Sequence, residues 1–140
     1  MLQKFLGRFY LHVTRSGTVS IDSRTFDVLD DVTIDDVKSL RLSTSAFKPN
    51  VPIETPETTI VFRRIGSIPQ IPTDGFSSAL SISMIDCNVS EIESNAFSGF
   101  SVINVTFVRT NINRVSIQLT FPSKTKFYVN SPLINIFCVV

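Results

Sequence analysis

Short pairs of aliphatic or aromatic residues, separated by one position, recur along the whole 140-residue chain. They stand at Leu11/Val13, Val32/Ile34, Ile60/Phe62, Ile82/Met84, Val105/Phe107 and Phe127/Val129, with 21, 28, 22, 23 and 22 residues between successive starts. A phenylalanine follows each of the first five pairs, at Phe26, Phe47, Phe76, Phe97 and Phe121. A small residue precedes it in SAF (45–47), DGF (74–76) and NAF (95–97). Two independent markers that keep one spacing define a repeat, and repeats of this length stack into a solenoid. Each unit reads as a short strand, a turn and a return segment ending on a buried Phe. Such a unit cannot bury its apolar face alone, so neighbours join the pairs into a parallel sheet with the Phe residues behind it.

The spacing predicts one domain, 1–140, with repeats near 11–31, 32–59, 60–81, 82–104, 105–126 and a partial unit at 127–140. Strands are expected near 11–15, 32–35, 60–63, 82–86, 104–108 and 127–130, in a single parallel sheet of about six short strands with an irregular convex side. One segment breaks the rhythm: KPNVPIETPET (48–58) carries three prolines and lengthens its repeat. Proline in a connection is tolerated, and the segment reads as a looped-out insertion or a binding loop.

Composition fits this reading. A hydrophobic fraction of 43% and a mean hydropathy of +0.24 exclude a disordered tail. Thirteen basic against twelve acidic residues leave a net charge of +1. No electrostatic footprint for nucleic acid is present. The single histidine, His12, forms no zinc-binding motif, and no metal or other cofactor is expected. The cluster Asp30, Asp31, Asp35 and Asp36 lacks the glycine-bearing loop and bidentate Glu of a calcium site. No GxSxG elbow or phosphate loop occurs, so a non-catalytic chain is expected. Cys87 and Cys138 fall two strands apart, too far for a disulfide. The opening MLQKFLGRFYLHV does not read as a signal peptide, and the apolar 133–140 segment is too short to span a bilayer.

The most legible stretch is LSISMIDCNVSEIESNAFSGF (80–100), followed by VINVTFVRTNINRV (102–115). It resembles the extracellular leucine-rich repeat, LxxLxLxx(N/C)xLxxI with an AFxGL ending. Ile82, Met84, Cys87, Val89, Ile92, Ala96, Phe97, Gly99 and Phe100 fall on the motif positions. Val102, Val105, Phe107, Thr110, Ile112 and Val115 do so in the next unit. The resemblance spans 58–121 and implies a curved solenoid, extracellular or at the cell surface, whose sheet face binds a protein ligand. Three departures mark a diverged member. Ile, Val and Phe largely replace Leu. The asparagine slot holds Ser16, Val37, Ile65, Cys87, Thr110 and Pro132. No cysteine-rich caps flank the repeats, and the apolar C-terminus reads as an interior repeat of a longer array.

With the pairs facing inward, the residues between and after them face out. The candidate partner-binding set is Arg63, Arg64, Ile85, Asp86, Thr106, Val108, Arg109 and Tyr128: an apolar group with a charged border. The column Arg15, Asp36, Arg64, Asp86 and Arg109 alternates in sign, as a cross-strand ion ladder would. The sequons NVS (88–90) and NVT (104–106) make Asn88 and Asn104 the candidate glycosylation sites, with Asn88, on the turn side, modified more readily. A second reading is a small parallel β-helix acting on carbohydrate through Asp35, Arg63, Arg64, Asp86 and Arg109. Strands per repeat separate the two: one sheet for the binding module, three for the β-helix.

Overall fold

The computed structural model of the chain describes residues 10–23, 30–47, 58–76, 79–97, 104–115 and 126–130. They form a parallel-strand β-solenoid, and no helix occurs among them. The strands are β1 (Tyr10–Ile21), β2 (Asp31–Leu42), β3 (Thr58–Ser67), β4 (Ala79–Ile85), β5 (Asn88–Ile92), β6 (Asn104–Val108), β7 (Asn111–Val115) and β8 (Lys126–Asn130). Six of them make one parallel sheet in the order β1-β2-β3-β4-β6-β8. Each expected strand is present and the apolar pairs lie in register: Leu11, Val32, Ile60, Ile82, Val105 and Phe127 in one column, Val13, Ile34, Phe62, Met84, Phe107 and Val129 in the next.

The expectation of a single sheet is corrected. β5 and β7 pair in a second parallel sheet, extended towards the third rung by the bridges Ile68–Val89 and Ile71–Ile92. Each of the first five rungs therefore has two extended legs. The bend between them is one residue with positive φ: Arg15 (52°), Asp36 (55°), Arg64 (48°), Asp86 (54°) and Arg109 (44°). A left-handed residue in an otherwise extended chain turns it sharply while keeping both legs pleated. A second bend follows at Ser45 (59°), Asp74 (57°) and Asn95 (62°). There Ala46, Gly75 and Ala96 donate their N–H groups to Ser43, Pro72 and Glu93 carbonyls three residues back, as in β-turns with positive φ at the third position. The small residue before each Phe is thus explained: Ala46 and Ala96 are wholly buried at the closing corner.

Between the legs lies the core. Val32, Ile34, Leu40, Ile60, Phe62, Ile65, Ile68, Ile71, Ile82, Met84, Ile92, Val105 and Phe107 have no exposed surface. Phe47, Phe76 and Phe97 stack along the solenoid axis, with centroids 6.1 and 5.4 Å apart and ring planes within 6° and 14° of parallel. Phe62 and Phe107 flank that stack at 6.1 Å from Phe76 and 6.3 Å from Phe97. Phe26, Phe121, Cys138 and nearly all of the 48–58 insertion lie outside the described residues. No helix here is long and apolar enough to cross a membrane.

Candidate functional site

All eight candidate binding residues fall on one surface, carried by β3, β4, β6, β8 and the corners that follow three of them. Strand pairing puts Arg63, Ile85, Val108 and Asn130 in one outward column, and Val61, Ser83, Thr106 and Tyr128 in the column beside it. Ile85, Thr106 and Val108 are half-buried; Arg63 is exposed, and Tyr128 is 57% exposed. Parallel strands lie about 4.8 Å apart, so Val108 and Tyr128 are diagonal neighbours.

The charged margin needs a second correction. Arg64, Asp86 and Arg109 are not a continuation of the flat strand: they are the left-handed corner residues. A sequence signal for this existed. From the second inward residue of each pair to the next inward position is three residues, not two: Val13 to Ser16, Ile34 to Val37, Phe62 to Ile65, Met84 to Cys87, Phe107 to Thr110. Strict alternation cannot supply that step. The extra residue is the bend.

The alternating column forms ion pairs unevenly. Arg109 grips Asp86 through Nε and Nη2, at 2.7 and 2.9 Å, across one strand spacing within the column. Arg64 instead reaches Asp35, one position before the corner of the preceding rung, at 2.8 and 2.6 Å. The guanidinium hydrogen bonds hold the Asp35 and Asp86 carboxyls below the ordinary carboxylate range. In the second sheet Arg114 lies 3.6 Å from Glu91. Among the described residues, no three His, Cys, Asp or Glu side chains come together as a metal site requires.

The slot after each corner points inward and its chemistry is the least foreseen feature. Thr110 Oγ1 shares its one proton between the Met84 and Val108 carbonyls, both at 3.0 Å, and accepts the Cys87 N–H at 3.4 Å. One rung earlier the Cys87 thiol faces the equivalent carbonyls of Phe62 and Ile85, at 3.5 and 3.4 Å. These side chains add to the backbone bonding at the bend, where the Val108 carbonyl also accepts the Asp86 N–H at 3.0 Å. Burial pushes the Cys87 thiol up to about 11, so at neutral pH it is a protonated packing group.

Asn88 sits at the head of β5, not on a turn. Its Nδ2 donates to the Gly66 carbonyl at 3.2 Å, and its Oδ1 accepts from Asn111 Nδ2 at 2.9 Å. Three successive rungs are thus tied through a pair of asparagines outside the slot where the repeat motif places one. Asn104 opens β6 and is exposed. No family model, curated protein or solved structure matches the chain.

Proposed function

We propose that the chain is a non-catalytic, protein-binding module of leucine-rich-repeat type, which takes its protein ligand on the outer face of the six-stranded sheet. The observation that carries this reading is the grouping of Ile85, Val108 and exposed Tyr128 around Thr106, edged by Arg63, Arg64, Asp86 and Arg109. Apolar patches with a polar rim mark interaction surfaces, and aromatic residues with arginine are their usual anchors. The parallel ladder fixes the backbone that carries these side chains, so little backbone ordering falls on binding. Support for the repeat type comes from the slot after the corner, where Cys87 and Thr110 bond to the backbone of the preceding rung. An extracellular or cell-surface location, with glycans on Asn88 and Asn104, follows from the same resemblance.

The two-leg rung moves the molecule towards the carbohydrate-active β-helix alternative. Against that alternative, Asp35 and Asp86 each have both carboxylate oxygens engaged by arginine and are held ionised as weak bases, unlike a poised general base. The test is an array of secreted and cell-surface ectodomains beside an array of polysaccharides. It is probed with the wild type and with the double substitution Val108→Ser, Tyr128→Ser, and melting temperatures are taken in parallel. An ectodomain captured by the wild type and lost in the variant at unchanged melting temperature supports the proposal. Polysaccharide binding or cleavage indifferent to the substitutions overturns it.

A further inference from the structure

β1 is an edge strand. β2 pairs with one side of it, and among the described residues no strand pairs with the other. Three observations converge on that edge. First, Leu11, Val13 and Val19 point into the core yet stay half-buried, whereas their register partners Val32, Ile34 and Leu40 have no exposed surface. Second, a Cβ on Gly66 would strike the Lys38 carbonyl of the preceding rung at 2.8 Å, whereas a Cβ on Gly17, two rungs back in the same column, would meet nothing within 4 Å. Third, Arg64 and Arg109 each hold a carboxylate bidentately, while the corner residue Arg15 has no carboxylate within salt-bridge distance among the described residues. A groove of about 600 Å³ runs from Arg15 and Gly17 past Asp36 and Lys38 to Arg64 and Gly66, along three rungs of the corner column rather than at the β1 edge, and is no part of this site.

We infer that the β1 edge is a strand-addition site for an extended segment of a partner chain, laid parallel to β1 and carrying an aspartate at the position that meets Arg15. Main-chain pairing along an open edge gives affinity, and side chains at alternate positions give selectivity. The required chemistry is apolar-x-apolar-x-Asp. The apolar residues cover Leu11 and Val13, and the acid extends the alternation of the corner column. Aspartate suits the place better than glutamate, because the corner is left-handed and short polar side chains tolerate it. The chain's own rungs display the pattern as Val32–Asp36 in β2 and Ile82–Asp86 in β4. The site is separate from the sheet face of the proposed ligand, and either can fail without the other.

The probe is a labelled twelve-residue peptide with the sequence of residues 31–42, DVTIDDVKSLRL, titrated into the full chain by fluorescence anisotropy. The control carries Asp35→Asn with Asp36→Arg, because Arg64 takes Asp35 in the chain's own β2. The wild-type chain should favour the aspartate peptide by roughly fivefold, the scale of one exposed charge-assisted pair. An Arg15→Glu chain should reverse the preference, and alternate β1 amides should gain hydrogen-exchange protection in the complex. Binding by the Val108→Ser, Tyr128→Ser chain should be unchanged. A preference that ignores the charge swap, or binding of neither peptide, overturns the inference. The peptide-side swap on the wild-type chain reads the same contrast without depending on how the Arg15 variant folds.

Discussion

The two ends of the solenoid solve the same corner differently. β1 and β2 run through Arg15 and Asp36 as unbroken twelve-residue strands, paired on both sides of the bend. Beyond β3 each rung splits into two short strands, β4 and β5 around Asp86, β6 and β7 around Arg109. The corner φ is similar throughout, from 44° to 55°. What changes is the step after it. The next inward residue lies three positions beyond Ser16, Val37 and Ile65, at Val19, Leu40 and Ile68, but two beyond Cys87 and Thr110, at Val89 and Ile112. The shorter first step coincides with the break in the ladder. It is also where buried side chains, Cys87 and Thr110, bond to the corner carbonyls. The leg keeps its length, nine residues from Asp36 to Ser45 and from Asp86 to Asn95, and only the spacing of its inward residues changes.

The deepest contrast is between the centre and the β1 edge. Phe76 has no exposed surface and packs against Phe47, Phe62 and Phe97 in three rungs. Phe76→Ala should cost about 3–5 kcal/mol. Leu11→Ala, at a half-buried edge position, should cost about 1 kcal/mol. Urea unfolding midpoints check both. Equal losses would mean that β1 is as enclosed as the middle of the stack.

The glycines sharpen the same contrast at smaller scale. Gly66→Ala drives a methyl into the Lys38 carbonyl, a backbone atom 2.8 Å away that cannot swing aside. A loss of about 1–3 kcal/mol is expected from that overpacking. Gly17→Ala meets open space at a residue without positive φ, and should be neutral or stabilising by up to about 1 kcal/mol through the unfolded chain. Melting temperatures should move in opposite directions.

Much of this was legible in the sequence. The strand positions and their register follow from apolar pairs at a fixed repeat, because inward residues of stacked strands must superpose. The phenylalanine stack follows from the second marker. From the third rung on the second leg was hidden because its inward residues, Ile68/Ile71, Val89/Ile92 and Ile112/Val115, stand three apart; in the first two rungs Val19/Ile21 and Leu40/Leu42 do alternate. The corners were missed for another reason. Arginine and aspartate read as surface residues whatever their φ, and arginine in particular is not a residue that left-handed backbone favours. For the candidate site, apolar and charged residues in adjacent columns could be placed together from spacing alone. Which carboxylate each arginine would take could not, since Asp35, Asp36 and Asp86 all lie within one rung of Arg64.

Cys87 distinguishes the C-terminal slot from Val37 and Ile65 by having a proton to lose. Its folded pKa, about 11, lies above the ordinary 9.0. The folded state therefore binds the proton more tightly, and the stabilisation is complete below pH 9 and lost as pH rises through about 11. Cys87→Val should remove this alkaline loss, leaving a flatter stability profile between those values in denaturation at stepped pH. Iodoacetamide at neutral pH should label Cys87 only after unfolding.

The smallest effect separates the two arginine pairs. Both aspartates titrate below the ordinary 3.8, so each pair contributes above the unfolded pKa and its contribution is lost as pH falls through the lower folded value. The sites differ in shielding. The Asp35 side chain is 15% exposed and that of Asp86 is 41% exposed, while the arginines are similarly open at 62% and 64%. Salt screens exposed pairs more than sheltered ones. Raising ionic strength should therefore weaken the Asp86–Arg109 coupling before the Asp35–Arg64 coupling, read as double-mutant cycles with Asp→Asn and Arg→Gln at low and high salt. Carboxyl chemical shifts followed through acid titration give an independent reading, with Asp35 keeping its low pKa in salt and Asp86 drifting towards the ordinary value. Equal salt sensitivity would show that the corner and the strand face are the same electrostatic environment, and that the diagonal reach of Arg64 to Asp35 gives no shelter.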